Sequence, residues 1–100
     1  MEIKLRNGKD KRTFRVPYIK GMMLRRALEL QKTMDAKAEE DIEVDDLDKM
    51  VDFIVDVFEG QFTRDDVYNG LSNKELFPEV ARCLQEVMGT KEDGSEDPNA

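Results

Sequence analysis

The spacing of apolar residues changes at Pro17, and no other feature of the sequence constrains the fold as strongly. Before Pro17, apolar and polar residues alternate along two arms that an Asn-Gly pair separates. The apolar members of the arms are Ile3, Leu5, Phe14 and Val16. Alternation with a period of two is typical of strands that bury one face, and Asn-Gly favours a turn. The sequence therefore predicts a β-hairpin over residues 2–16, with a connecting loop longer than two residues.

After Pro17, apolar residues recur every three or four positions, which is typical of amphipathic α-helices. The predicted helices cover about residues 19–36, 46–59, 64–70 and 74–88. In the first helix, Leu24 and Leu28 are expected to widen the buried stripe. Gly60 is expected to close the second helix in the left-handed conformation. Because an isolated two-stranded ribbon is only marginally stable, the hairpin must pack on these helices or on another copy of the chain.

Two helix-start signals follow each other closely, Thr63 with Asp66 and Ser72 with Glu75. In each, a hydroxyl and a carboxylate can accept hydrogen bonds from the free backbone amides of a first helical turn. The first signal predicts a short helix that turns the chain, so that the last helix packs back across the hairpin and the first two helices. The predicted fold class is α+β, with an N-terminal β-hairpin packed on a bundle of three to four α-helices in a single domain over residues 1–89.

Charge is unevenly distributed along the 100 residues, whose formal net charge is -7. Residues 1–20 hold seven Lys/Arg and two Asp/Glu, a net of +5, whereas residues 35–59 hold two Lys/Arg and eleven Asp/Glu, a net of -9. Residues 90–100, TKEDGSEDPNA, contain no apolar anchor and are predicted to form a disordered acidic tail.

This charge pattern indicates the class of partner. A negative total argues against general nucleic-acid binding, because neutralisation of phosphates dominates that affinity, and it favours a protein partner. The opposed ends favour head-to-tail self-association into a homo-oligomer, or docking on a partner with complementary patches. The alternative is that both charged runs are ordinary solvated faces.

The groups that most catalytic sites need are missing from the sequence. It has no histidine, so it offers no imidazole base and no histidine metal ligand. Its single cysteine, Cys83, excludes an intramolecular disulfide and a thiolate zinc site, and it indicates a reducing compartment. The glycines are scattered singly instead of forming a phosphate-binding loop. No apolar run approaches the ~20 residues that a membrane span needs. We therefore expect no enzyme activity, no cofactor, no metal and no membrane partner.

Candidate partner-binding residues stand out from the apolar rows or beside the basic end of the chain. They are Met22, Arg25, Arg26, Phe53 and Tyr68. Methionine is flexible and polarizable, so several methionines can form an adaptable surface for apolar helices. The spacing of Met23, Met34, Met50 and Met88 favours a helix core instead, and Met22 is the exception because it lies off the main apolar row. Two interpretations of Tyr68 stay open: it borders a partner-binding surface, or it is a half-buried core residue with its hydroxyl in water.

The string from Phe53 to Thr63, FIVDVFEGQFT, and the following DDVYNGL carry a family resemblance. Together with the N-terminal hairpin, the basic first helix and the acidic connector, they make residues 1–89 similar to the tail assembly chaperones of long-tailed bacteriophages and prophages. These strings contain no catalytic signature.

The resemblance implies a function. Members of that family coat the long helical tape measure protein, keep its apolar stripes from aggregating, and give way to tail tube subunits during assembly. Many exist in two forms, of which the longer arises by a ribosomal frameshift and recruits the tube protein; this chain resembles the short form. The resemblance also implies that the protein works in the host bacterial cytoplasm and is absent from the mature virion.

Two other function classes remain as alternatives. One is a small acidic adaptor or regulator that binds another protein through the acidic face of the second helix, without chaperone activity. The other is a small enzyme, which the missing catalytic groups disfavour.

Overall fold

The computed structural model describes residues 1–89, in which two strands precede four α-helices. The strands are β1 (Glu2–Asn7) and β2 (Asp10–Arg15), and the helices are α1 (Gly21–Asp35), α2 (Val44–Val57), α3 (Arg64–Gly70) and α4 (Leu76–Met88), with a 3₁₀ turn at Glu39–Asp41. The predicted α+β class, with an N-terminal hairpin and a helical bundle, is confirmed. The predicted disordered tail, residues 90–100, lies outside the described residues.

The hairpin is antiparallel and places Ile3 opposite Phe14. Asn7 pairs with Asp10, so the loop contains only Gly8 and Lys9. The prediction of a longer loop is therefore wrong. The tight loop is allowed because Gly8 has a φ of +69°, which a residue without a Cβ adopts at no steric penalty.

The hairpin is held against the helices by its apolar face and by one close backbone contact. Ile3 and Leu5 are buried on that face. A Cβ placed on Gly70 of α3 would lie 2.8 Å from Leu5 Cβ and 3.3 Å from the backbone N and O of Arg6. Only a glycine fits there. α3 is consequently the helix that packs most closely on β1.

Helix α4 packs mainly on α1 and α2, not across the hairpin as predicted. Its direct link to the hairpin is a hydrogen bond from Arg82 Nη2 to the carbonyl oxygen of Glu2, at 2.7 Å. The difference follows from the close approach of α3, which occupies the space beside β1.

One apolar core joins the hairpin and the four helices. Its largest fully buried side chains include Phe53, Phe58, Ile3, Met50, Ile54 and Leu84. Full burial of each such side chain contributes about 1.5–3 kcal/mol relative to exposure. Three of these six residues lie on α2, so this helix is the centre of the core.

Carboxylates fix where α2 and α3 begin. Asp46 accepts a hydrogen bond from the backbone N–H of Glu43 at 3.0 Å, and the two residues form a capping box at the start of α2. The helix thus begins at Val44, two residues before the expected start. Thr63 and Asp66 form the predicted box on α3. Reciprocal pairs of this kind satisfy backbone donors that no helical carbonyl can reach.

The C-terminal end of α2 differs from its expected closure. The left-handed closing position belongs to Glu59, with a φ of +57°, and Gly60 follows it with a φ of +73°. The N–H of Gly60 donates to Val55 O and that of Glu59 to Asp56 O, both at 3.0 Å. This is the bonding pattern of a Schellman motif, and it turns the chain towards α3.

Candidate partner-binding surface

Helix α1 is the only described helix that combines a narrow buried stripe with several exposed apolar side chains. It buries Met23, Ala27 and Leu30. Leu24 and Leu28 are 44% and 56% exposed. They lie four residues apart, which places them on one side of the helix, one turn apart. We call this pair the α1 apolar edge.

The prediction that Leu24 and Leu28 widen the buried stripe is therefore wrong. At 100° per residue, they lie roughly 90° and 130° from the centre of the buried stripe, which is farther than one packed face extends. A helical projection of the sequence contains this signal, although neither leucine was among the predicted partner-binding residues.

Met22 is exposed, as a partner-binding residue must be, with 57% of its surface open to solvent. It lies on the opposite flank of α1 from the apolar edge, because two residues of helix rotate the side chain by about 200°. Met22 and the α1 apolar edge are thus separate exposed positions on the same helix.

The two candidate arginines of α1 differ in what they contact. Arg25 is exposed, and its Nε lies 3.7 Å from Glu29 Oε2 one turn later. Arg26 donates a hydrogen bond to Asp56 Oδ2 and so connects α1 to α2. Arg25 is available at the surface, whereas the guanidinium of Arg26 is used inside the fold.

Phe53 is a core residue with 1% of its surface exposed. It lies beneath a shallow groove of about 270 Å³ between α1 and α2, whose rim includes Arg26 and Lys49. Its position off the centre of the apolar row suggested a surface role. The structure corrects this, because α1 covers that side of α2 and the ring lies underneath it.

Three carboxylates at successive turns of α2 form what we call the α2 acidic row: Asp48, Asp52 and Asp56. Arg64 of α3 binds Asp52 through Nε at 2.9 Å and Nη2 at 2.7 Å, and its Nη1 lies 3.4 Å from Asp48. Arg26 binds Asp56 from the other side. The hydrogen bonds from Arg64 lower the pKa of Asp52 below its ordinary value. Every member of the row has an internal partner.

Tyr68 is half-buried on α3, and its hydroxyl donates a 2.7 Å hydrogen bond to Asp48 Oδ1. Burial, and then this bond to a carboxylate, raise the pKa of Tyr68 to about 12. The hydroxyl is therefore hydrogen-bonded to α2 and not only hydrated. This contact supports the structural interpretation of Tyr68, and a role in partner binding stays a prediction.

The five candidates do not form one site. Met22 and Arg25 are exposed on α1, Arg26 links α1 to α2, Tyr68 links α3 to α2, and Phe53 lies in the core between them. The largest candidate surface on α1 is instead the apolar edge.

No catalytic or metal-binding arrangement stands out in the described part of the chain. Cys83 is buried, and burial raises the pKa of its thiol to about 12, as expected for a small core residue. Within residues 1–89, no three His, Cys, Asp or Glu side chains are grouped so that they could hold a metal ion. None of the described helices has the length and apolar character needed to cross a membrane.

Comparison with known proteins identifies one family. The chain matches the model of a family described as phage tail chaperone protein over residues 1–100. This match confirms the resemblance that the QFTRDDVYNGL string and the order of elements predicted. No curated protein and no solved structure matches the chain.

Proposed function

Because the chain belongs to the phage tail chaperone protein family, we propose that it binds the tape measure protein, keeps it soluble and helps to recruit tail tube subunits during tail assembly. Binding of this kind requires an apolar surface and no catalysis. The protein accordingly acts as a holding chaperone and not as an enzyme.

The α1 apolar edge is the observation that best supports this proposal. Exposed Leu24 and Leu28 present two apolar side chains one turn apart. An amphipathic helix of a partner can lay its own apolar stripe against such a row, because side chains spaced by four residues form a continuous ridge on a helix. A long helical partner offers many equivalent stripes to successive copies of the chain.

The edge is small, which suits a chaperone that must later be displaced. Two leucines bury far less surface than the roughly 1,200–2,000 Å² of a stable protein complex. Each copy then binds weakly, and occupancy depends on many copies along one partner. The net charge of -7 keeps such an assembly soluble through mutual repulsion.

The remaining features of the proposal concern setting and partners. The protein works in the host bacterial cytoplasm and does not enter the mature virion. Copies assemble on the tape measure protein as a homo-oligomer. A longer, frameshifted form of the same chain contacts the tail tube protein.

The acidic face of α2, on which the adaptor alternative depends, is partly engaged within the fold. Asp52 and Asp56 are paired with Arg64 and Arg26, and 40% and 47% of these two carboxylate side chains stay open to solvent. Exposed ion pairs of this kind are weak, so they compete with a partner without covering the carboxylates. No observation in the described residues specifically favours the adaptor.

Co-expression tests the proposal. A tape measure fragment that is insoluble alone is produced with the wild-type chain, with the Leu24→Ser/Leu28→Ser double variant, or with Val44→Ser, which alters an exposed apolar residue outside the edge. We expect the wild type and Val44→Ser to bring the fragment into the soluble fraction, and the double variant to fail while remaining folded by circular dichroism.

A fragment that stays insoluble with the wild type would refute chaperone activity. Equal rescue by all three would refute the role of the edge.

A further inference from the structure

The backbone of β2 has an outer edge that the rest of the described chain leaves largely unpaired. Met1 and Val16 exchange two backbone hydrogen bonds, of 3.1 and 2.9 Å. In an antiparallel ladder, pairs that exchange hydrogen bonds alternate with pairs that do not. It follows that the N–H and C=O groups of Lys11, Thr13 and Arg15 point away from β1. We call these groups the β2 outer edge.

The corresponding edge of β1 is covered. The carbonyl of Glu2 accepts a hydrogen bond from Arg82, and the backbone of Arg6 lies against Gly70. On the β2 outer edge, only the carbonyl of Arg15 is engaged, by Gln61 Nε2 at 2.8 Å. Over residues 1–89, no hydrogen bond reaches the outward backbone groups of Lys11 and Thr13. Among the described residues, the outward backbone of β1 is therefore contacted at Glu2 and Arg6, whereas that of β2 is contacted at Arg15 alone.

We propose that the β2 outer edge binds an extended, acidic segment of a partner protein as a third strand. Unpaired N–H and C=O groups in a row are a template for strand addition, in which main-chain hydrogen bonds supply affinity and flanking side chains supply specificity. This surface is distinct from the α1 apolar edge, and the proposal does not depend on binding of the tape measure protein.

Charge determines which segment fits. Lys4, Arg6 and Lys11 are exposed on the outer face of the hairpin and form no ion pair within 4 Å among the described residues; Arg6 and Lys11 interact at longer range with the Glu75 carboxylate, and Arg15 is paired with Glu2. An acidic strand beside β2 would bring carboxylates next to Lys11, whereas Lys4 and Arg6 lie on β1, about 10 Å from the added strand, and would add a weaker long-range attraction. Opposite charges on adjacent strands stabilise a pair, and like charges destabilise it.

The same charges disfavour a second copy of the chain as the occupant. Two β2 strands pairing antiparallel about Thr13 would place Lys11 of each opposite Arg15 of the other. Cations on an edge strand are a recognised device against pairing of identical edges. The β2 outer edge therefore disfavours pairing with the same edge of a second copy and favours pairing with an acidic strand.

The inner side of the hairpin offers a place for the alternate side chains of that strand. Arg12 and Phe14 of β2 face a cleft of about 260 Å³ in which apolar Leu5 and Phe62 lie beside polar residues that include Asp66 and Asn69. The Phe14 ring packs edge-on against Phe62 at 4.8 Å between centroids. Because successive side chains of a strand point to opposite faces, the fitting segment alternates acidic residues outside with apolar residues towards the cleft.

A titration followed by NMR tests this proposal. The ¹⁵N-labelled full chain is titrated with a short synthetic peptide that alternates Glu and Val, and in parallel with one that alternates Lys and Val. We expect the Glu–Val peptide to shift the amide resonances of Lys11, Thr13 and Arg15, and the Lys–Val peptide to bind at least fivefold more weakly. Added salt should weaken the Glu–Val complex, because it shortens the Debye length, about 10 Å at 0.1 M, and so weakens attraction between exposed charges.

Two variants separate strand addition from simple charge attraction. Thr13→Pro removes an outward N–H that the hairpin itself does not use, and proline is tolerated on an edge strand in that position. It should abolish the shifts. Lys11→Glu keeps the backbone and should weaken binding about fivefold, the scale of one exposed ion pair, whereas Lys32→Glu, an equal charge change on α1, should leave it unchanged.

Several results would overturn the proposal. Shifts confined to the α1 apolar edge, equal binding of the two peptides, or undiminished binding by Thr13→Pro would each do so. If Thr13→Pro fails to fold, Lys11→Glu decides alone, and unchanged affinity then rejects the proposal. A concentration-dependent dimer of the wild type that Lys11→Glu strengthens would show that a second copy occupies the edge instead.

Discussion

Helix α2 and the β-hairpin each place apolar side chains in the core and a run of charges outside, but they differ in whether those charges have partners. On α2, Asp52 and Asp56 are bound by Arg64 and Arg26. On the hairpin, Lys4 and Lys11 have no ion pair within residues 1–89. The α2 acidic row is thus engaged by neighbouring helices, whereas Lys4 and Lys11 of the hairpin form no ion pair in the described structure.

The difference shows that the number of charges in a segment does not identify a binding surface. The acidic segment has the larger net charge in the sequence, yet its central carboxylates are already paired with arginines of two neighbouring helices. A surface that already satisfies its charges would have to break those contacts to bind a partner, and that loss opposes binding. The less conspicuous basic strand and two exposed leucines are the surfaces left for partners.

The largest effect should come from Phe53→Ala on α2. Phe53 is 1% exposed, so its truncation should lower the free energy of unfolding by about 3–5 kcal/mol, through lost burial and the cavity that remains. Urea unfolding followed by circular dichroism measures this. A loss below about 1 kcal/mol, typical of surface positions, would mean that Phe53 is a surface residue and that this side of α2 does not lie in the core.

Gly70→Ala should have the next largest effect, because it breaks the attachment of the hairpin. The added methyl group would meet Leu5 Cβ at 2.8 Å, and overpacking of this kind lowers the free energy of unfolding by about 1–3 kcal/mol. Hydrogen exchange should show the loss of protection concentrated in β1 and β2.

Gly21→Ala is the matched control, since no atom lies within 4 Å of a Cβ added there. It should leave stability unchanged or raise it by up to about 1 kcal/mol, because alanine favours helix. Equal destabilisation by the two substitutions would argue against a specific contact between α3 and the hairpin.

Tyr68→Phe should have a smaller effect, about 1 kcal/mol, because it removes one hydrogen bond to the α2 acidic row. The pKa of Tyr68 is raised from 10.0 to about 12 in the fold. The stability that the protonated hydroxyl contributes is therefore complete below pH 10 and is lost as the pH rises towards 12. Urea unfolding at increasing pH should show the difference between wild type and Tyr68→Phe shrinking over that interval.

Lys11→Gln tests whether a hairpin charge contributes less to stability than the contact of Tyr68 with the α2 acidic row. Because Lys11 has no ion-pair partner in the described structure, its neutralisation should change the free energy of unfolding by no more than about 0.5 kcal/mol. If Lys11→Gln destabilised the chain as much as Tyr68→Phe does, the hairpin charges would not be free and the comparison would fail.

Hydrophobic periodicity predicted the hairpin and the four helices because burial on one face imposes the period of each element. It could not predict the close contact at Gly70, since a glycine near the end of a helix also suits a simple helix end. It likewise missed the two-residue loop at Gly8 and the closing role of Glu59. These features depend on how the chain packs in three dimensions and not on local spacing.

The candidate surface was predicted less well than the fold. Met22 and Arg25 are exposed as expected, but Phe53 is buried and the α1 apolar edge was assigned to the core. A sequence shows that a residue is apolar, and not how wide a stripe its neighbours cover. Ion pairs between distant segments, such as Arg26 with Asp56, are invisible for the same reason.

Methyl NMR of the complex with a soluble tape measure fragment would locate the partner-binding surface. We expect the methyl resonances of Leu24 and Leu28 to shift on binding and those neighbouring Asp52 and Asp56 to stay in place. Shifts confined to the surroundings of the α2 acidic row, with Leu24 and Leu28 unchanged, would contradict this expectation.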